Sequence, residues 1–221
     1  MAAVMSGRDI TITSGAVTLR GLLGVPHEAR GVVLFAHGSG SGRLSSRNNL
    51  VARSLQDARL ATLLIDLLTE EEERIDAASG QLRFDIPFLA GRLGTATEWL
   101  AQSPDTRSLK IGYFGASTGA AAALVAAAAM PDRVHAVVSR GGRPDLAGEH
   151  LANVKAPTLL IVGSRDVPVI PLNQDALAQL RCEKRLEIVP GASHLFEEEG
   201  ALDAVARLAS AWFSKHLVSA R

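Results

Sequence analysis

Between Lys110 and Ala129 the chain passes from an apolar run, through a serine set between glycines, into a stretch made almost entirely of alanine. Ile111-Gly112-Tyr113-Phe114 reads as a buried strand, Gly115-Ala116-Ser117-Thr118-Gly119 as a G-x-S-x-G turn, and the alanines as a helix of small side chains. Such a helix packs tightly on a sheet because little but methyl groups separates the two backbones. The glycines are a steric requirement: a sharp strand-to-helix elbow brings backbone against its neighbours, and a side chain at either position would clash. The turn lifts the Ser117 hydroxyl above the sheet edge. The helix starting there directs free N–H groups and its positive dipole end at the same point. The plain alternative is a tight turn whose serine caps a helix. Choosing between them requires partners elsewhere in the chain.

Strands and helices alternate along the sequence. Ile10–Thr13 and Val17–Val25 alternate like an antiparallel hairpin turning at Ser14-Gly15. Strands are expected at 31–36, 61–66, 109–114, 134–139, 158–163 and 185–189, and helices near 48–58, 85–102, 118–129, 171–180 and 200–217. This order predicts an α/β fold: a mostly parallel sheet of about eight strands with helices on both faces. No repeat and no linker interrupts it, so a single domain over 1–221 is expected.

Two loops supply candidate partners for Ser117. Thr158-Leu159-Leu160-Ile161-Val162-Gly163 is apolar throughout, as in a strand buried on both faces, and it ends in Ser164-Arg165-Asp166. Arg185–Val189 reads as the next strand and closes in Pro190-Gly191-Ala192-Ser193-His194. A nucleophile, an acid and a base in the chain order Ser117, Asp166, His194 form the constellation of a serine hydrolase, each at a strand's C-terminal end. Singly, Asp166 reads as well as a turn or cap residue, and His194 as an ordinary loop histidine. Among the other histidines, only His37 also ends a strand.

That strand, Gly31–Ala36, runs into His37-Gly38-Ser39-Gly40-Ser41-Gly42. A flexible loop of this kind brings a backbone N–H against a substrate carbonyl, so the N–H groups of Thr118 and Ser39 are candidate oxyanion donors. The rival is a phosphate loop. No lysine follows the glycines as a P-loop demands, and Arg43 stands where a dinucleotide fingerprint needs its third glycine.

The His-Gly loop, the Gly-Tyr-Phe-Gly-Ala-Ser-Thr-Gly-Ala elbow, the Gly-Ser-Arg-Asp turn and the Pro-Gly-Ala-Ser-His-Leu-Phe turn together resemble a small α/β-hydrolase of the dienelactone-hydrolase-like group. The resemblance extends from about Thr18 to Leu217. Dienelactone hydrolases proper carry a cysteine at the elbow; here it is Ser117, and Cys182 lies far from any of these motifs. The resemblance therefore implies a serine carboxylesterase acting through an acyl-serine. Its relatives within the fold, a thioesterase, an amidase or a peptidase, and a non-catalytic binding protein stay open as alternatives. The chemistry calls for no metal and no organic cofactor.

The composition fits. The 221 residues suffice for one substantial core, and a net charge of zero points to no nucleic acid and no anionic membrane as partner. The expected partner is a small-molecule ester, with the protein a monomer or homodimer. One cysteine precludes an intrachain disulfide, and Met1–Ile10 lacks an apolar stretch of signal-peptide length, so a cytoplasmic location is expected. Glu70–Glu73 is expected in a solvated loop between Leu67 and Leu82. Arg140 and Arg143, after another strand at the same end, are candidate contacts for a substrate carboxylate, with internal salt bridges the alternative. Between Arg143 and Ala156 there is room for one short helix but no large lid, which favours an open cleft and small acyl esters.

Overall fold

The computed structural model describes residues 7–218. Its strands are β1 (Arg8–Ser14), β2 (Val17–Gly24), β3 (Val32–Ala36), β4 (Ala61–Ile65), β5 (Ile111–Ala116), β6 (Val134–Arg140), β7 (Thr158–Gly163) and β8 (Lys184–Val189). Its helices are α1 (Ser46–Asp57), α2 (Glu70–Ser79), α3 (Ile86–Gln102), α4 (Thr118–Ala129), α5 (Val169–Gln179) and α6 (Ala201–Leu217). Short 3-10 stretches cover Leu82–Phe84 and Pro144–Asn153. The strands form one eight-stranded sheet in the order β1-β2-β4-β3-β5-β6-β7-β8. β1 and β2 form an antiparallel hairpin, β2 lies antiparallel to β4, and the other neighbours are parallel.

Side chains alternate across each strand and divide the core in two. Leu34 and Tyr113 point into one layer with Leu93 of α3, the alanines of α4 and Ala176 of α5. Phe35 and Phe114 point into the other with Leu55 of α1 and Phe213 of α6. These are the helices on both faces that the alternating sequence predicts. The parallel strands place their C-terminal ends on one edge, where the loops after β3, β5, β6, β7 and β8 converge.

The departures are local. β5 begins and ends two residues later than its apolar run suggests, because parallel pairing with β3 and β6 carries the ladder through Gly115 and Ala116. The acidic run is a helix and not a loop. Thr69 and Glu72 form a reciprocal capping box at the start of α2, and Gly80 closes it with φ +65°. Glutamates in the first turn are favoured by the dipole, so the charge run stabilises the helix it was expected to exclude.

Candidate active site

Ser117 stands between β5 and α4 with φ 50° and ψ −124°, a conformation that a non-glycine residue rarely adopts. The packing enforces it. A methyl group at Gly119 would lie 2.2 Å from the Ala36 carbonyl oxygen, and one at Gly115 would lie 2.4 Å from the Ala120 Cα. Ser117 N–H donates to Arg140 O (3.4 Å), and its carbonyl accepts from Ala120 N–H and Arg143 N–H (both 3.1 Å). Ser117 occupies the N-cap position of α4, yet its side chain makes no capping hydrogen bond. The hydroxyl is therefore not consumed by the helix.

Asp166 and His194 are brought together: His194 Nδ1 lies 2.7 Å from Asp166 Oδ2, with Asp166 buried and the imidazole partly exposed. The loops carrying them are laced to each other. Gly191 N–H donates to Ser164 Oγ (2.8 Å) and Arg165 N–H to Ala192 O (2.9 Å), while Ser193 N–H donates to Glu198 Oε2 (3.0 Å). Against neutral imidazole, the Asp166 carboxylate keeps the proton on Nδ1 and leaves Nε2 as the basic nitrogen. Ser117 makes no side-chain hydrogen bond to either residue. It is tied to them through the end of β6: Arg140 O accepts from Ser117 N–H, and a methyl group on Gly141 would lie 2.9 Å from His194 O.

The loop after β3 lies against the elbow, since a methyl group on Gly38 would stand 2.9 Å from Ser117 Cβ. It is held by a residue that the sequence marked only as the end of a strand. His37, buried, has Nδ1 2.9 Å from Gly38 O, and Leu67 N–H donates to His37 Nε2 at 2.9 Å. The two bonds together assign the proton to Nδ1 and make the ring neutral. Burial lowers the His37 pKa, against the opposing pull of the Gly38 carbonyl and the Asp66 charge. Gly38 O also accepts from Ser41 N–H (3.2 Å). In a trans peptide the next N–H points away from that carbonyl, so the Ser39 N–H is turned from the imidazole. Arg43 is paired with Asp66, and its own N–H donates to Asp66 Oδ1 (2.7 Å), which closes the loop.

A cavity of about 690 Å³ opens beside the elbow, lined among others by Gly38, Ser39, Leu44, Leu68, Leu89 and Thr118. Thr118 is the first residue of α4, so its N–H has no partner within the helix. The two candidate oxyanion donors thus line one cavity.

The two arginines part company. Arg143 donates from Nε and Nη2 to the two carboxylate oxygens of Asp145 (2.9 and 2.8 Å), so its fork is taken and a substrate carboxylate does not have it free. Arg140 is buried, with its guanidinium facing the Phe196 ring. Among the described residues no cluster of His, Cys, Asp and Glu is arranged to hold a metal ion. None of their helices is long and apolar enough to cross a membrane.

The profile of the dienelactone hydrolase family matches residues 19–216. The crystal structure of dienelactone hydrolase from Anabaena variabilis superposes with a TM-score of 0.93 and 62% identity, over 96% of this chain and 99% of that one. Est1E from Butyrivibrio proteoclasticus matches with a TM-score of 0.78 at 14% identity, over 94% of this chain and 98% of that one, a likeness of fold. A Mycobacterium tuberculosis protein named "Putative phosphoribosyl transferase" is 58% identical over 209 residues, 95% of this chain. This chain spans 46% of that relative's length.

Proposed function

The chain belongs to the dienelactone hydrolase family, and from that premise we propose that it is a serine carboxylesterase acting on small acyl esters. Ser117 attacks the ester carbonyl as His194 Nε2 takes its proton. Asp166 holds the imidazole tautomer and stabilises the cation that forms. The N–H groups of Thr118 and Ser39 receive the oxyanion; removing one such donor costs about 10²–10³ in rate. His194 returns the proton to the leaving alcohol, then activates the water that cleaves the acyl-serine.

One observation carries this reading: a serine in a strained elbow, its hydroxyl unused by the helix it begins, is tied through the end of β6 to the loop of a histidine bonded to a buried aspartate. The name of the Mycobacterium tuberculosis relative belongs to a protein more than twice as long. In this chain Arg43, the cation at the end of the glycine loop, is held by Asp66. A small-molecule ester as partner, a monomer or homodimer, and a cytoplasmic location go with the esterase reading.

A panel of para-nitrophenyl esters from acetate to palmitate, with matching thioesters and anilides, tests it against Ser117→Ala. Short acyl esters turn over best and Ser117→Ala abolishes their turnover. A preference for thioesters or anilides moves the chain to the corresponding neighbour class, and turnover that survives Ser117→Ala overturns the reading.

A further inference from the structure

Four glutamates open α2, and three of them have arginine partners: Glu70 pairs with Arg20, Glu71 with Arg74 and Glu72 with Arg92. Glu73 has neither an ion pair nor a side-chain hydrogen bond among the described residues. It also stands apart in the cavity beside the elbow, which Asp66, Glu73 and Asp76 all line. There Asp66 is taken by Arg43 and Asp76 by Arg83, while the third arginine of the wall, Arg47, is taken by Glu197. The charges of this cavity are thus matched within the protein, except that of Glu73.

The helix sets Glu73 on the cavity side. Residues three apart share a helix face, so Glu73 lies beside Asp76, which is buried and lines the same cavity. Glu72 is turned instead to Arg92 of α3. An adjoining cavity of about 490 Å³ is also lined by Glu73, together with Thr11 and Thr18 of the hairpin and Thr69 of the α2 cap. The carboxylate therefore stands where two spaces meet, and one of them holds both proposed oxyanion donors. Partial desolvation first, and then the Asp66 and Glu70 charges, raise the Glu73 pKa against the pull of Arg43. An incoming cation relieves this surplus of negative charge, whereas an anion adds to it.

We propose that Glu73 is a specificity-determining residue that selects esters carrying an ammonium group, whose charge it meets at the cavity wall while Leu44, Leu68 and Leu89 cover the alkyl substituents. The inference rests on the esterase reading and narrows it to cationic esters. The competing occupant is water, which satisfies most surface carboxylates. What separates Glu73 from those is its cleft, since a cleft with one sign of unmatched charge concentrates the counter-ion.

The test compares isosteric pairs that differ in charge alone. Acetylcholine against neohexyl acetate places the charge on the alcohol. The para-nitrophenyl ester of γ-trimethylammonio-butyric acid, against the isostere with a tert-butyl group in place of the ammonium, places it on the acyl half. In the wild type the cationic member of at least one pair is favoured in kcat/KM by about fivefold or more. Glu73→Gln abolishes the preference, Glu73→Asp keeps part of it, and about 1 M NaCl shrinks it. Reading a ratio cancels any general loss of activity. Equal turnover within both pairs by an active wild type overturns the proposal and assigns the carboxylate to water, as does a preference that survives Glu73→Gln. Melting gives a readout without turnover: choline chloride raises the wild-type Tm above the value in equimolar sodium chloride and does not do so in Glu73→Gln. If Ser117 proves unreactive, this shift decides alone: present and lost in Glu73→Gln, the esterase reading fails and the cation site stands; absent, both fall.

Discussion

His194 Nδ1 and Asp166 Oδ2 lie 2.7 Å apart, although 28 residues separate them in the chain. The contact exists because β7 and β8 are parallel neighbours ending at the same edge, and because Ser164 Oγ, the Arg165 N–H and the Arg165–Glu198 ion pair bind the two post-strand loops to each other. The carboxylate thereby fixes which imidazole nitrogen faces outward.

Replacing Asp166 by Asn isolates that role. The amide fills the same volume but favours the wrong tautomer, so kcat on short esters falls by about 10³–10⁴ while the fold is retained. Stopped-flow or steady-state ester hydrolysis beside far-ultraviolet circular dichroism measures both. Loss of less than about tenfold would remove Asp166 from the proposed relay.

The elbow is a matter of packing before it is one of chemistry. Gly119→Ala drives a methyl group to 2.2 Å from the Ala36 carbonyl oxygen, where only rigid backbone is available to yield. Overpacking of this kind costs about 1–3 kcal/mol and displaces the start of α4, so urea stability and ester turnover fall together. A Gly119→Ala protein with the wild-type urea midpoint would show that the strand and helix are less closely apposed than described.

His37 offers a pH signature. Its folded-state pKa is lowered from 6.5, chiefly by burial, so the unfolded chain binds the proton more readily than the native one. Unfolding free energy therefore rises with pH across the window below about 6.5, and is lost as the solution is acidified from that value. The half-buried His216 is shifted in the same direction, so the measurement is the difference between wild type and His37→Gln. The variant's stability profile is flatter through this window. It also loses the bonds to Gly38 O and Leu67 N–H, which costs about 1–3 kcal/mol of stability and loosens the proposed oxyanion loop. Identical profiles for the two proteins would refute the neutral, buried assignment.

How much of this was legible in the chain follows from how local each signal is. The elbow was readable because its glycines, serine and alanines are contiguous, and α4 and β7 fall where the sequence sets them. Asp166 and His194 were readable as a pair only through chain order and strand ends, since their contact is tertiary. The helix at Glu70–Ser79 was lost because the charge run was weighed without Thr69, whose side chain and that of Glu72 supply the cap. The fates of Arg140 and Arg143 differ for a similar reason. Asp145 stands two residues from Arg143 and takes its fork, whereas what surrounds Arg140 comes from α1 and the loop after β8. His37 announced itself only as the end of a strand, because its partner, the Leu67 N–H, is supplied by the segment after β4.

The account depends on Ser117 being a nucleophile activated by His194, and a fluorophosphonate probe followed by peptide mass spectrometry measures that directly. The predicted result is a single adduct on the peptide carrying Ser117, absent in Ser117→Ala and formed at least about a hundredfold more slowly in His194→Ala. An adduct on another residue, or a labelling rate indifferent to His194, would contradict it.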